Sequence, residues 1–151
     1  MLNPGDNAPY FELHDQDGNL VKLTDFAGKN LVLYFYPKDD TSGCTKEACS
    51  FRDELPSFEG INAAVVGVSP DPVKSHRKFV DKYSLNFTLL SDESKTMLEA
   101  YGVWKEKSMY GKKYMGVERT TYVIDPTGKI KTVFNKVKVE GHTEEVKKAL
   151  S

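Results

Sequence analysis

Residues 31–36, Leu-Val-Leu-Tyr-Phe-Tyr, form the most apolar run in the chain, and no polar residue interrupts them. A strand covered on one face alternates apolar and polar residues. A strand without alternation is buried on both faces and belongs at the centre of a sheet. A loop, residues 37–44, leaves this strand and runs into a helix-like segment, Thr45 to Leu55. Ala63 to Val68 repeats the buried-strand pattern, and Phe87 to Leu90 reads as a third, short strand. Strands alternating with helices, then a hairpin and a last helix, specify an α/β domain with a mixed central sheet flanked by helices.

The remaining elements follow from local signals. Tyr10–Leu13 and Leu20–Leu23 flank the turn-forming run 15–19, Asp-Gln-Asp-Gly-Asn, which predicts an N-terminal β-hairpin. Residues 24–28 predict one helical turn closed by Gly28. The helix from Thr45 is expected to stop before Pro56, because the residue preceding proline is biased away from helical geometry. Asp71 is the expected N-cap of the next helix, with Pro72 at its first position. Val73, His76 or Arg77, Val80 and Tyr83 keep the helical period. A helix capped by Ser91 is expected to run to Tyr101 and end at Gly102. Lys105 to Gly116 is polar and punctuated by glycine, which reads as a loop or an irregular strand. Thr120–Ile124 and Ile130–Phe134 flank Asp125-Pro126-Thr127-Gly128, a hairpin turn, and Thr143–Leu150 is a terminal helix.

A length of 151 residues suits one domain, 1–151. A formal net charge of −1 gives no electrostatic case for nucleic acid. No apolar run approaches the ~20 residues of a membrane span. The N-terminus has no basic segment followed by an apolar core, so a cytoplasmic location is the expectation. Two cysteines in a reducing compartment point to redox or catalytic use more than to a structural staple.

Both cysteines lie at the strand–loop–helix junction. Cys44 follows Gly43 at the expected start of the helix, where unpaired N–H groups and partial positive charge favour a thiolate. Cys44, Ala48, Phe51 and Leu55 share one helix face, which should meet the sheet. Cys49 is on another face. Helical geometry sets the two Cα atoms about 8.7 Å apart, beyond the ~7 Å limit for a disulfide. Any pairing of the two therefore requires the first turns of the helix to unwind. A small buried hydrophobe is the plain alternative for Cys44, and a half-buried thiol is the plain alternative for Cys49.

Pro37-x-x-x-Thr41-x-x-Cys44, with Glu47 one helical turn on, resembles the active-site signature of the peroxiredoxins. Cys49, five residues after Cys44, is similar to the Q-type, or bacterioferritin-comigratory, branch. Residues 4–9 (Pro-Gly-Asp-Asn-Ala-Pro), 89–92 (Leu-Leu-Ser-Asp), 101–103 (Tyr-Gly-Val) and 119–125 (Arg-Thr-Thr-Tyr-Val-Ile-Asp) extend the likeness along nearly the whole chain. Ser42 departs from it, since many relatives carry proline there. The resemblance implies a thioredoxin-like fold and a thiol peroxidase acting on hydrogen peroxide or organic hydroperoxides. It implies Cys44 as peroxidatic nucleophile and Cys49 as the resolving cysteine of an intramolecular disulfide. It implies Arg119 against Cys44 and Glu47 holding that arginine, where the plain alternatives are a surface cation and a favourable charge in the first turn of a helix. The Thr41 hydroxyl reads as a partner for a peroxide oxygen, with a plain turn residue as the alternative, and Pro37, which has no N–H, as a shield over the loop mouth. A thioredoxin-type dithiol donor, with a glutaredoxin-type donor as the alternative, and a monomeric state are implied as well. No cofactor is needed, because sulfur carries the electrons.

Competing readings are weaker. A protein dithiol–disulfide oxidoreductase would carry Cys-x-x-Cys, which this chain lacks. A redox sensor would use the same thiols, and only catalytic turnover separates it from an enzyme. His14, His76 and His142 are scattered and read as surface or helix-end residues, and the cysteine spacing is a poor match for zinc. Trp104, Met109, Tyr110, Tyr114 and Met115 read either as core packing or as an exposed rim. Lys136, Lys138, Lys147 and Lys148 read as solvated.

Overall fold

In the computed structural model, which describes residues 2–150, the apolar run becomes the strand β3 (Asn30–Phe35), with Leu31 to Tyr36 all buried. Met1 and Ser151, the ends of the domain expected over 1–151, lie outside the described residues. The other strands of the main sheet are β1 (Glu12–His14), β2 (Leu20–Lys22), β4 (Ala63–Ser69), β5 (Thr88–Ser91), β8 (Thr120–Ile124) and β9 (Ile130–Phe134). Between β5 and β8 come β6 (Trp104–Met109) and β7 (Lys112–Val117), which form a sheet of their own. The helices are α1 (Ser42–Gly60), α2 (Val73–Tyr83), α3 (Thr96–Ala100) and α4 (His142–Leu150). The seven-stranded order is β2-β1-β5-β4-β3-β8-β9. β3, β4 and β5 run parallel, whereas β8 lies antiparallel to β3. The mixed sheet and the N-terminal hairpin are as the sequence predicts, in a thioredoxin-like arrangement.

The strand period divides the core. Val32, Tyr34 and Tyr36 pack on one face with Cys44, Ala48, Phe51, Leu55 and Phe58 of α1. Leu31, Leu33 and Phe35 pack on the other with Met97, Leu98, Tyr101, Tyr122 and Ile124. Phe51 stacks on Tyr34 at 4.8 Å between ring centroids. Truncating a buried phenylalanine of this kind costs about 3–5 kcal/mol, so this stripe fixes α1 against the sheet.

Several local expectations are corrected. α1 does not stop before Pro56 but runs through it to Gly60. A proline inside a helix leaves the carbonyl four residues earlier without its partner. Here that carbonyl, on Arg52, accepts instead from Asn86 Nδ2 at 3.2 Å. Pro72, not Asp71, is the N-cap of α2, and the Asp71 carboxylate accepts from Ser69 Oγ and the Asp39 amide. Ser91 is the last residue of β5 and caps no helix; its hydroxyl donates to the Asp71 carbonyl. The short α3 is held by Asp92, whose Oδ2 accepts from the Leu98 amide at 2.8 Å. Lys105–Gly116 is neither loop nor irregular strand. It lies in the regular β6–β7 hairpin, turned at Tyr110 and Gly111 with φ of 52° and 77°. Polar residues outweigh alternation in this segment because much of the hairpin is solvent-exposed: Tyr110 is 98% exposed, and Met109, Tyr114 and Met115 are exposed too. Trp104 is half-buried at its base.

Candidate active site

The parallel and antiparallel pairings of β3 create the site. Leaving the C-terminal end of β3, the chain enters the loop 37–41 and then α1. On the other side, β8 pairs antiparallel with β3 and its first residue, Thr120, faces Phe35. Arg119, one residue before β8, is thereby delivered to the strand end where α1 begins.

Cys44 lies in the first turn of α1, and 2% of it is exposed. Arg119 Nη2 donates to Cys44 Sγ at 3.2 Å, and Nη1 donates to Glu47 Oε1 at 2.6 Å. The guanidinium thus bridges two side chains one helical turn apart. Glu47 is 1% exposed, and burial, opposed by Arg119, pushes its carboxyl up to about 7. Its Oε2 and the nearby Tyr34 hydroxyl are buried without a hydrogen-bond partner among the described residues. Burial works against the Arg119 charge, but Glu47 and Cys44 outweigh it and raise the guanidinium further above its ordinary value. Gly43 completes the fit: a Cβ there would lie 3.3 Å from Arg119 Nη2.

Thr41 is the N-cap of α1, but its side chain makes no cap bond. Its hydroxyl donates to the Lys38 carbonyl at 2.9 Å, which leaves the oxygen's lone pairs available as acceptors. Pro37 is half-buried at the strand exit, and Ser42 is the first, exposed residue of α1. Cys49 is half-buried and unpaired, and it opens onto a groove of about 680 Å³ shared with Ser42, Gly43, Lys46, Ser50 and Gly141. With α1 helical from Ser42, both cysteines are free thiols.

Two features escaped the sequence reading. Lys107 of β6 is half-buried, and its chain packs over Gly116, where a Cβ would lie 3.3 Å from Lys107 Cδ. It is a second cation in the field of the sulfur, invisible in a segment read as loop. His76 and His142 are the other correction: neither lies on the surface, at 0% and 1% exposed, although His142 is a helix-end residue, the first of α4. His142 Nε2 meets Thr121 Oγ1 at 2.8 Å, and burial lowers its proton affinity. His76 occupies a position on the apolar period of α2, the signal that marks a core histidine satisfied by polar partners.

Residues 4–133 match the AhpC/TSA family model. Peroxiredoxin Bcp of Bacillus subtilis is 49% identical over 146 residues, covering 97% of this chain and 93% of its own length. Peroxiredoxin Bcp of Escherichia coli K12 is 46% identical over 145 residues, covering 96% and 93%. A solved structure of the Xanthomonas campestris bacterioferritin comigratory protein, described for its alkyl peroxide reduction activity, superposes with a TM-score of 0.89 at 43% identity. The match covers 93% of this chain and 89% of that one. No helix among the described residues is long and apolar enough to cross a membrane. With the family model spanning most of the chain and relatives of near-equal length approaching half identity, this chain belongs to the AhpC/TSA family, in the Q-type or bacterioferritin-comigratory branch of the peroxiredoxins, and is a thiol peroxidase.

Proposed function

We propose that Cys44 is the peroxidatic nucleophile and Cys49 its resolving partner within one chain. The Cys44 thiolate attacks the terminal oxygen of hydrogen peroxide or an alkyl hydroperoxide. An S–O bond forms as the O–O bond breaks, and the departing hydroxide or alkoxide takes up a proton and leaves as water or alcohol. Cys44 is left as a sulfenic acid. The head of α1 then uncoils, and the Cys49 thiolate attacks the Cys44 sulfur; an S–S bond forms as the S–O bond breaks, and the departing hydroxide takes up a proton and leaves as water. A dithiol donor of the thioredoxin type reduces the disulfide by exchange, approaching through the groove beside Cys49. The protein works as a single-domain monomer in the cytoplasm.

The contact of Arg119 Nη2 with Cys44 Sγ carries this reading. A fixed guanidinium stabilises the thiolate, and its remaining N–H groups can hold the peroxide oxygen on which charge develops. Glu47 holds Arg119, Thr41 accepts the proton-bearing end of the peroxide, and Pro37 shields the sulfur from water. The test is peroxide-dependent NADPH consumption in a coupled thioredoxin system. Cys44→Ser should abolish turnover. Cys49→Ser should leave the first oxidation intact but stop thioredoxin-dependent cycling, with Cys44 accumulating as sulfenic and then sulfinic acid. Parent-rate peroxide consumption by Cys44→Ser would defeat the nucleophile assignment.

A further inference from the structure

Beneath the loop 37–41 lies a buried polar network that the peroxide chemistry leaves unused. Asp39 is 7% exposed, and both its carboxylate oxygens are engaged: Oδ1 accepts from the Tyr36 hydroxyl at 2.5 Å, and Oδ2 from Ser75 Oγ at 2.7 Å. Oδ2 also meets His76 Nδ1 at 2.6 Å. The Asp39 amide donates to Asp71 Oδ2 at 2.8 Å. His76 Nε2 faces the Leu90 carbonyl at 2.9 Å, and a carbonyl only accepts, so Nε2 carries a proton. A second proton lies between Nδ1 and the Asp39 carboxylate, because two lone pairs cannot approach to that distance. The pair is therefore joined by a short hydrogen bond with no solvent to compete for it. Asp39, Asp71 and His76 offer ligand atoms within 4.8 Å of one another, but each already has a hydrogen-bond partner in this network.

The network ties the loop to α2 and β5, and the next residue adds to the tie. Asp40, in a left-handed conformation at φ 57°, accepts from Lys82 Nζ at 2.7 Å and the Tyr83 hydroxyl at 2.6 Å. The head of α1 has little of its own to hold it, since Thr41 makes no side-chain cap bond and the first turn contains no acidic residue. The anchored segment immediately before them therefore adds to the core packing and the Arg119 contact of Cys44 in locating Thr41 to Cys44.

We propose that Asp39 and His76 are positioning residues that clamp loop 37–41 and the head of α1 in the peroxide-ready arrangement, and so set how readily the helix uncoils to bring Cys49 to Cys44. This rests on the disulfide-forming cycle above. Weakening the clamp favours the uncoiled state. Peroxide then reacts more slowly with Cys44, whereas the sulfenic acid is captured by Cys49 sooner and escapes overoxidation.

The experiment treats reduced parent and variant proteins with graded hydrogen peroxide and measures, by rapid quench and mass spectrometry, the ratio of disulfide to sulfinic acid. The rate of the first oxidation is followed in parallel. His76→Leu should raise the ratio about tenfold, as expected for loss of a buried hydrogen bond to a carboxylate, and slow the first oxidation by a smaller factor, because the wound state still holds most of the protein. Asp39→Asn, whose amide can still donate to Nδ1 and accept from Tyr36, should recover much of the parent behaviour. Ser75→Ala, which removes one hydrogen bond to the same carboxylate, should raise the ratio about threefold with a smaller slowing of the first oxidation, and it decides the matter if His76→Leu does not fold. A folded His76→Leu, or failing that Ser75→Ala, with parent-like ratio and rate would overturn the clamp. Absence of a Cys44–Cys49 disulfide in the parent would instead overturn the cycle.

Discussion

Glu47 meets Arg119 through one oxygen only: Oε1 accepts from Nη1 at 2.6 Å, while Oε2, buried beside it, has no partner among the described residues. A single contact does not offset the loss of water, so burial dominates and the carboxyl rises from 4.5 to about 7. Between those two values the folded state binds more protons than the unfolded chain. The stability this group contributes is therefore full below about pH 4.5 and lost as pH climbs through about 7. Glu47→Gln should remove that slope. Urea unfolding at pH 5 and pH 8 should show the gap between the two narrowing by about 3 kcal/mol at most relative to the parent. An unchanged gap would mean that Glu47 stays ionised across the range.

Arg119 spans Cys44 and Glu47 with two different nitrogens, a task its planar fork performs and a lysine ammonium does not. Stopped-flow oxidation by hydrogen peroxide should be about 100-fold slower in Arg119→Lys, the usual scale for losing a donor aimed at developing charge. Gly43→Ala offers a gentler probe. Alanine is the better helix former by about 1 kcal/mol, so stability should hold or rise. The new methyl must displace Nη2, however, and the same oxidation should slow several-fold.

The bond from Asn86 to the Arg52 carbonyl replaces the one that Pro56 cannot make. Asn86→Ala should cost about 0.5–1 kcal/mol, a fall of about 1–4 °C in Tm for a chain of this size. In a Pro56→Ala background the amide of residue 56 can return to that carbonyl, and the cost of Asn86→Ala should shrink. A double-mutant cycle by thermal denaturation reads the difference, and strictly additive effects would show that the two residues are not coupled.

Lys107 carries a charge that has no partner among the described residues, in the field of Cys44 and Arg119. Lys107→Met keeps the packing over Gly116 but removes the charge. Alkylation of reduced Cys44 by iodoacetamide near neutral pH should slow about threefold, a modest factor because the group is half-exposed and water screens it. Lys112→Met, farther along the hairpin and exposed, should leave the rate unchanged and serves as the control.

What the linear order of residues could settle was whatever depends on neighbours a few positions apart. The unbroken apolar run at Leu31–Tyr36 requires a central strand, and the period of Cys44, Ala48, Phe51 and Leu55 requires a helix laid on it. The Asp125–Gly128 turn requires a hairpin, and Cys44 and Cys49, on one helix, cannot meet while it stays wound. What needed the folded chain were relationships across long separations, where no local pattern reports the partner. The antiparallel register of β8 on β3 brings Arg119 to a sulfur 75 positions earlier, and Asn86 lets α1 pass through Pro56. Asp39 turns His76 from a residue that reads as surface into the centre of a buried network. The physical reason is the same in each case. Hydrophobic period is a local property, whereas the satisfaction of a buried charge or an orphaned carbonyl is decided by whichever group the tertiary fold brings within hydrogen-bond reach.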